Sequence, residues 1–176
     1  MIRCSEILEK PIFNNKSKEM FSLVYDVILK KNSNKILGFV WRRKILKKEF
    51  SLILYNDLLS VNKDGLYVKS SYVPHDFDYN NSLYFGLSYK HDFSNKIVLN
   101  RDNELIGIIR DALLDMETGS FTCFEFSEGY IDDIFTGRKL IAAGSGYKID
   151  SNAVTLFYKD IVQEQGRGLL NMNKLI

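Results

Sequence analysis

The chain is poor in the residues that mark specialised classes of protein. It holds two prolines, two cysteines, two histidines and one tryptophan among 176 residues. So little proline beside an apolar content of 45% excludes a proline-rich spacer and argues for a packed core. Cys4 and Cys123 lie far apart and form no metal-ligand or redox spacing, so they read as reduced thiols rather than a disulfide framework. Charge of one sign is lacking too. With 24 basic and 22 acidic residues the formal net charge is +2, which gives no whole-protein field to attract nucleic acid or anionic lipid. No apolar run nears the ~20 residues that cross a bilayer, and the opening Met1 to Glu6 has neither the n-region nor the h-region of a signal peptide. The expected location is the cytoplasm.

What the chain does contain is an internal repeat, of roughly eighty residues per copy. Ile12 to Trp41 lies over Ile97 to Phe126 without a gap, with identities at Ile12/Ile97, Asn15/Asn100, Glu19/Glu104, Asp26/Asp111, Leu29/Leu114 and Phe39/Phe124. Apolar character agrees at Met20/Leu105, Leu23/Ile108, Val24/Ile109, Ile28/Leu113 and Ile36/Phe121. Short apolar runs punctuated by turn residues predict strands over Met20–Leu29, Lys35–Trp41, Glu49–Tyr55 and Leu66–Lys69, and over Glu104–Leu114, Ser120–Phe126 and Ala153–Tyr158. Turns are expected at Lys31–Asn34, Asn62–Gly65, Arg101–Asn103, Glu117–Gly119 and Gly144–Gly146. Five or six short strands per copy would remove their edges by closing on themselves. The expectation is therefore mainly β, two small barrels in tandem related by internal duplication. They would span residues 1–72 and 89–160, with a connection over 73–88 and a tail over 161–176. Phe77, Tyr79, Tyr84, Phe85 and Tyr89 make the connecting region too aromatic for a solvated tether.

Several segments resemble the PRC-barrel family. Ser5-Glu6-Ile7-Leu8-Glu9-Lys10-Pro11-Ile12 is similar to that family's opening, SELLGKPV, with Glu9 at the glycine position. The G-x-V-x-D-x-x-x-D strand is matched by Gly107, Ile109, Asp111 and Asp115; in the first copy Ser22, Val24 and Asp26 match and Lys30 replaces the last acid. Asn56 to Val68 resembles the closing segment, and Gly129 to Lys139 looks like the second barrel of tandem members from low-GC, often spore-forming bacteria. The resemblance implies a non-enzymatic module that binds other macromolecules, as in the H subunit of photosynthetic reaction centres and in ribosome maturation factors. It brings no catalytic residues, cofactor or metal.

The candidate residues are structural and interacting ones. Asp26 and Asp111, as repeated acids, suit either a paired carboxylate site or acceptors of backbone N–H groups at a strand irregularity, and their recurrence in a β-unit favours the second. Gly107 joins them as a structural residue. His75 and His91, with Asp76, Asp78 and Asp92 nearby, lack metal-ligand spacing. Gly144-Ser145-Gly146 reads as a turn, without the lysine and helix of a phosphate loop. The strongest charge feature is Arg42-Arg43-Lys44-Ile45-Leu46-Lys47-Lys48, expected in a loop; the equivalent loop of the second copy carries Glu128, Asp132 and Asp133. The two loops read either as ordinary solvated surface or as docking sites. The function expected is an adaptor or scaffold with a protein partner, serving sporulation or another regulatory process. The alternative is an RNA- or ribosome-associated protein using Arg42 to Lys48.

Overall fold

A computed structural model of the chain describes residues 1–44, 49–79, 86–129, 133, 137–143, 146–157 and 161–162, with Lys44 and residues 161–162 described by their backbone alone. In chain order the elements are β1 (Ile2–Arg3), the one-turn helix α1 (Cys4–Ile7), β2 (Pro11–Asn14), β3 (Met20–Lys30), β4 (Ile36–Lys44) and β5 (Glu49–Leu54). They continue with β6 (Leu58–Val61), β7 (Leu66–Val68), β8 (His75–Phe77), β9 (Gly86–Ser88), β10 (Ile97–Leu99) and β11 (Leu105–Asp115). The last are β12 (Ser120–Ser127), β13 (Lys139–Ala142), β14 (Tyr147–Ile149), β15 (Ala153–Leu156) and β16 (Ile161–Val162). The chain divides into one compact unit of Met1–His91 with Leu114–Phe121, and another of Asp92–Leu113 with Thr122–Ile176. No helix among the described residues is long and apolar enough to cross a membrane.

In the first unit the strand order is β6-β7-β2-β3-β4-β5-β8. The β2–β7 pair is parallel and its neighbours are antiparallel. The three central strands are covered on both faces. Val27, Phe39 and Ile53 sit side by side in register and are fully buried on one face. Ile28, Val40 and Leu52 form the core of the other face with Phe77 of β8. This double burial explains why β-branched and aromatic residues run almost without polar interruption along these strands. The turns at Lys31–Asn34 and Asn62–Gly65 fall between strands as their residues predict, the second closed by Asn62 Oδ1 accepting from Asp64 N and Gly65 N.

The second unit has the order β14-β15-β10-β11-β12-β13-β16, again with one parallel pair, β10–β15. Its core is built on Phe93, Phe124 and Tyr147, with Phe124 ring centroids 4.7 Å from Phe93 and 5.5 Å from Tyr147. Gly107 is required where β11 passes β12, because a Cβ there would lie 2.5 Å from the Ser127 carbonyl oxygen and 2.7 Å from the Phe126 ring.

Three expectations need correction. Among the described residues no pairing joins β6 to β8 or β14 to β16, so neither sheet closes on itself. The edges are instead blunted by brevity and by interruption: β8 has three residues and follows Pro74, β16 has two, and β6 carries a bulge between Leu58 and Ser60. Second, the stretch read as a connection contains β8, which pairs with β5 through Phe50–Phe77 and Leu52–His75. Third, the gap-free alignment fails before β3. Ile12 faces Ser22 while Ile97 faces Ile108 and Val98 faces Gly107, so Ile12 corresponds to Val98. Likewise Asn14, rather than Asn15, corresponds to Asn100: Asn14 N donates to Glu19 O and Asn100 N to Glu104 O. The loop ahead of β3 is thus one residue longer in the first unit. The expected turn at Gly144–Gly146 lies mostly outside the described residues.

That shift also aligns Glu9 with Asn95, and both adopt left-handed backbone, with φ of 65° and 60°. Glu9 N donates to Val24 O and Lys10 N to Ile7 O; Asn95 N donates to Ile109 O and Lys96 N to Phe93 O. Glu9 is exposed, so its side chain offers no packing to offset the strain. Glu9→Gly should raise stability by about 0.5–1 kcal/mol in urea unfolding. Gly107→Val should lower it by about 2–3 kcal/mol. Equal and negligible effects would contradict both backbone assignments.

Candidate functional site

The site grows from an irregularity in β3. Val24 pairs with Trp41 and Asp26 with Val40, so Tyr25 is an extra residue opposite the β4 ladder. The bulge turns the Asp26 carboxylate into the unit, where it is fully buried. Its Oδ1 accepts from Val27 N at 2.8 Å and Lys90 N at 3.1 Å. Its Oδ2 accepts from the Ser88 hydroxyl at 2.5 Å and the Tyr79 hydroxyl at 3.0 Å. Ser88 Oγ accepts in turn from His91 N at 3.0 Å. Burial pushes the Asp26 carboxyl above the usual range, and the Ser88, Lys90, Val27 and Tyr79 bonds pull it back in part. Burial first, then the Asp26 charge, pushes the Tyr79 hydroxyl far up, so Tyr79 stays a donor.

Above this hub lies a cleft of about 830 Å³, lined by Tyr25, Phe50, Phe77, Tyr79 and His91 together with Arg42, Arg43, Glu49, Asp76 and Asp78. Tyr79 meets Phe50 and Phe77 edge-on at 5.0 Å and His91 at 4.9 Å. The Arg42 guanidinium stacks 4.5 Å from the Tyr25 centroid and 5.7 Å from that of Phe50, and Lys90 Nζ lies 4.0 Å from the Tyr25 centroid. Arg43 Nη1 pairs with Asp76 Oδ1 at 3.0 Å. Arg42 and Arg43 therefore belong to β4 and its packing, correcting their placement in a loop. Lys44 ends that strand, and Lys47 and Lys48 lie outside the described residues.

A second groove of the same unit, of about 640 Å³, runs beside the start of β3 and is lined by Met20, Phe21, Trp41, Tyr72 and Pro74 with the polar Asn14, Ser17 and Glu19. Phe21 packs edge-on against Trp41 at 5.3 Å. Trp41 Nε1 donates to Tyr72 OH, and Tyr72 OH to Leu52 O. Met20, Phe21 and Leu23 are nevertheless 52%, 39% and 45% exposed.

In the second unit Asp111 is buried and its Oδ1 accepts from Ala112 N at 2.8 Å, the counterpart of the Asp26–Val27 bond. The residue corresponding to Tyr25 is Arg110, which is exposed, so the aromatic wall has no counterpart there. Glu128 pairs with Lys139, and Asp133 Oδ2 lies 3.6 Å from Arg138 Nε. Both acids thus meet cations of their own unit; Asp132 lies outside the described residues. Asp26 and Asp111 belong to different units and form no carboxylate pair within either. No group of three histidine, cysteine or carboxylate side chains that could hold a metal occurs among the described residues.

No local spacing in the sequence marks Tyr25, Phe50, Tyr79, Ser88 and Lys90 as site residues. The aromatic richness of the region after Tyr72 was the one available signal. Compared with known proteins, the chain matches no family model and no curated protein.

An acid held above its ordinary range when folded takes up its proton more readily in the folded chain. Its contribution to stability is therefore present at low pH and declines as pH rises from the ordinary carboxylate range through the raised value. Asp26→Asn keeps an oxygen for Val27 and Lys90 and turns its NH2 to hydroxyls that also accept. Its stability at neutral pH should stay within about 1 kcal/mol of the wild type, with a flatter pH profile. Asp26→Ala strands the donors and should cost about 3 kcal/mol. Chemical denaturation between pH 4 and 8 checks both, and an Asn variant as unstable as Ala would show that the charge itself is needed.

Proposed function

We propose that the chain is a non-enzymatic adaptor of two PRC-type units related by duplication, which docks a protein partner on its first unit. Recurrence supports the first part: both sheets follow one strand order, with a register break at the same place in β2 and β10 and a left-handed residue just before each. The resemblance at Ser5 to Ile12 and Gly107 to Asp115 points the same way. Such units serve to bind other macromolecules, and a regulatory process such as sporulation fits that use.

The observation that carries the docking reading is the outward display of Met20, Phe21 and Leu23 beside a groove walled by Trp41 and Tyr72. Clustered large apolar side chains at a surface suit a protein interface, where aromatic and methionine anchors contribute most of the affinity. By contrast, the buried acid best suited to chemistry, Asp26, has both oxygens engaged in holding β3 to Tyr79, Ser88 and Lys90. The arginines that would meet RNA are drawn into the fold, Arg43 by Asp76 and Arg42 by Tyr25. A protein partner is therefore favoured over RNA or the ribosome.

Affinity capture from lysate tests this, using the wild type, a Met20→Ser/Leu23→Ser variant, and a variant with Lys44, Lys47 and Lys48 changed to Glu, at low and high salt. The expected result is one protein retained by the wild type and the charge variant at both salts, and lost with the serine variant. RNA or ribosomes recovered only at low salt, and lost with the charge variant, would replace this reading with the nucleic-acid one.

A further inference from the structure

The Arg42 guanidinium is held in an unusual state for a partly buried cation. One side of it rests on the Tyr25 ring, 4.5 Å from the centroid, with the Phe50 centroid at 5.7 Å on the same side. Its edge is not similarly served: Nε is out of contact with solvent and finds no hydrogen-bond acceptor among the described residues. A buried donor without a partner is unfavourable, and a guanidinium already resting on a ring loses little freedom on gaining one. The acceptor that suits a planar fork of N–H groups is a carboxylate, which takes two parallel bonds.

Three carboxylates, Glu49, Asp76 and Asp78, line the same cleft, and Arg43 is held by Asp76. A chain of phosphates would meet these acids at close range. A single carboxylate flanked by a cation and a ring would find complementary groups for all three: the Arg42 edge, the acidic lining, and the Phe77 and Tyr79 rings. We propose that Arg42 anchors a carboxylate-binding site, whose occupant is an aspartate or glutamate side chain of a protein partner in a segment that also presents a lysine or arginine and an aromatic residue. The carboxylate takes the outer N–H groups and draws the guanidinium along the Tyr25 face until Nε is bonded as well. This rests on the reading that the partner is a protein, and adds its chemistry at a site apart from Met20 and Leu23.

The test is a titration of the full chain, labelled for observation of arginine Nε–H resonances, with the capped peptide acetyl-Lys-Glu-Phe-amide. The same titration is run with the Glu-to-Gln peptide and with decauridylate. The Arg42 resonance should shift saturably with the Glu peptide, and the Gln peptide should bind at least about tenfold more weakly. Arg42→Lys should weaken the Glu peptide by a similar factor, because an ammonium cannot form the two parallel bonds. The Glu-versus-Gln contrast on the unaltered chain decides the matter even where the variant folds poorly. Equal affinity for the two peptides, an unmoved Arg42 resonance, or tighter binding of decauridylate at Arg42 would each overturn the proposal. Loss of the contrast with protein capture through Met20 and Leu23 intact would remove the anchor and leave the adaptor reading standing.

Discussion

The first unit is organised around the need to satisfy one carboxylate removed from water. An acid in the middle of a sheet buried on both faces is tolerated only when its lone pairs are filled, and at Asp26 the donors come from Val27, Tyr79, Ser88 and Lys90. Three of those lie far along the chain, so a single side chain fixes where the segment after β8 must return. The energetic gain of such a hub over an apolar residue is small, since desolvation cancels most of it. Its value lies in specificity: a register slip of β3 by one residue would expose the acid and bury Tyr25 in its place.

The cleft follows from the same constraint. Tyr79 is placed by its bond to Asp26, and its ring then stands edge-on to Phe50, Phe77 and His91. The bulge that admits Asp26 also makes Tyr25 the extra residue, and Tyr25 in turn receives Arg42 and Lys90 on its ring. Charge apparent in the linear sequence is thus partly absorbed by the fold. The basic run loses Arg42 to ring stacking and Arg43 to Asp76, while the acidic run of the second unit is met by Arg138 and Lys139. Two segments of opposite sign that read from the sequence as solvated surface or docking sites are each neutralised in part within their own unit. The apolar side chains at the start of β3 are left as the more persuasive surface.

How much of this was legible depends on element length. The longer strands, β3, β4, β5, β11 and β12, were readable to within a few residues from apolar runs bounded by Asn, Asp and Gly turns. The three-residue strands β8 and β14 carry too few side chains for any periodicity, and Pro74 beside β8 reads as a connection. The identity at Ile12/Ile97 misled because neighbouring β-branched residues at the start of β10 are interchangeable to an alignment, whereas a hydrogen-bonded register is not. The site was hidden for a different reason. Its partners are separated by more than fifty residues, as in Tyr79 to Asp26 and Lys90 to Asp26, and no local spacing encodes such a meeting.

Glu9, which stands at the glycine position of the SELLGKPV opening that Ser5 to Ile12 resembles, has a physical meaning in the structure. Left-handed backbone is costly for a residue with a Cβ, and Asn95, at the corresponding place in the second unit, is of a type that tolerates it better. Glu9 keeps the conformation because the bonds on either side leave it no alternative: Glu9 N to Val24 O and Val24 N to Lys10 O tie it to β3, while Lys10 N to Ile7 O closes it onto α1. Releasing the strain would break ladder bonds one residue from Tyr25, the bulged residue beside Asp26. The motif is thus a demand on backbone geometry rather than on glycine itself, and that demand is set by the strand that delivers the buried acid.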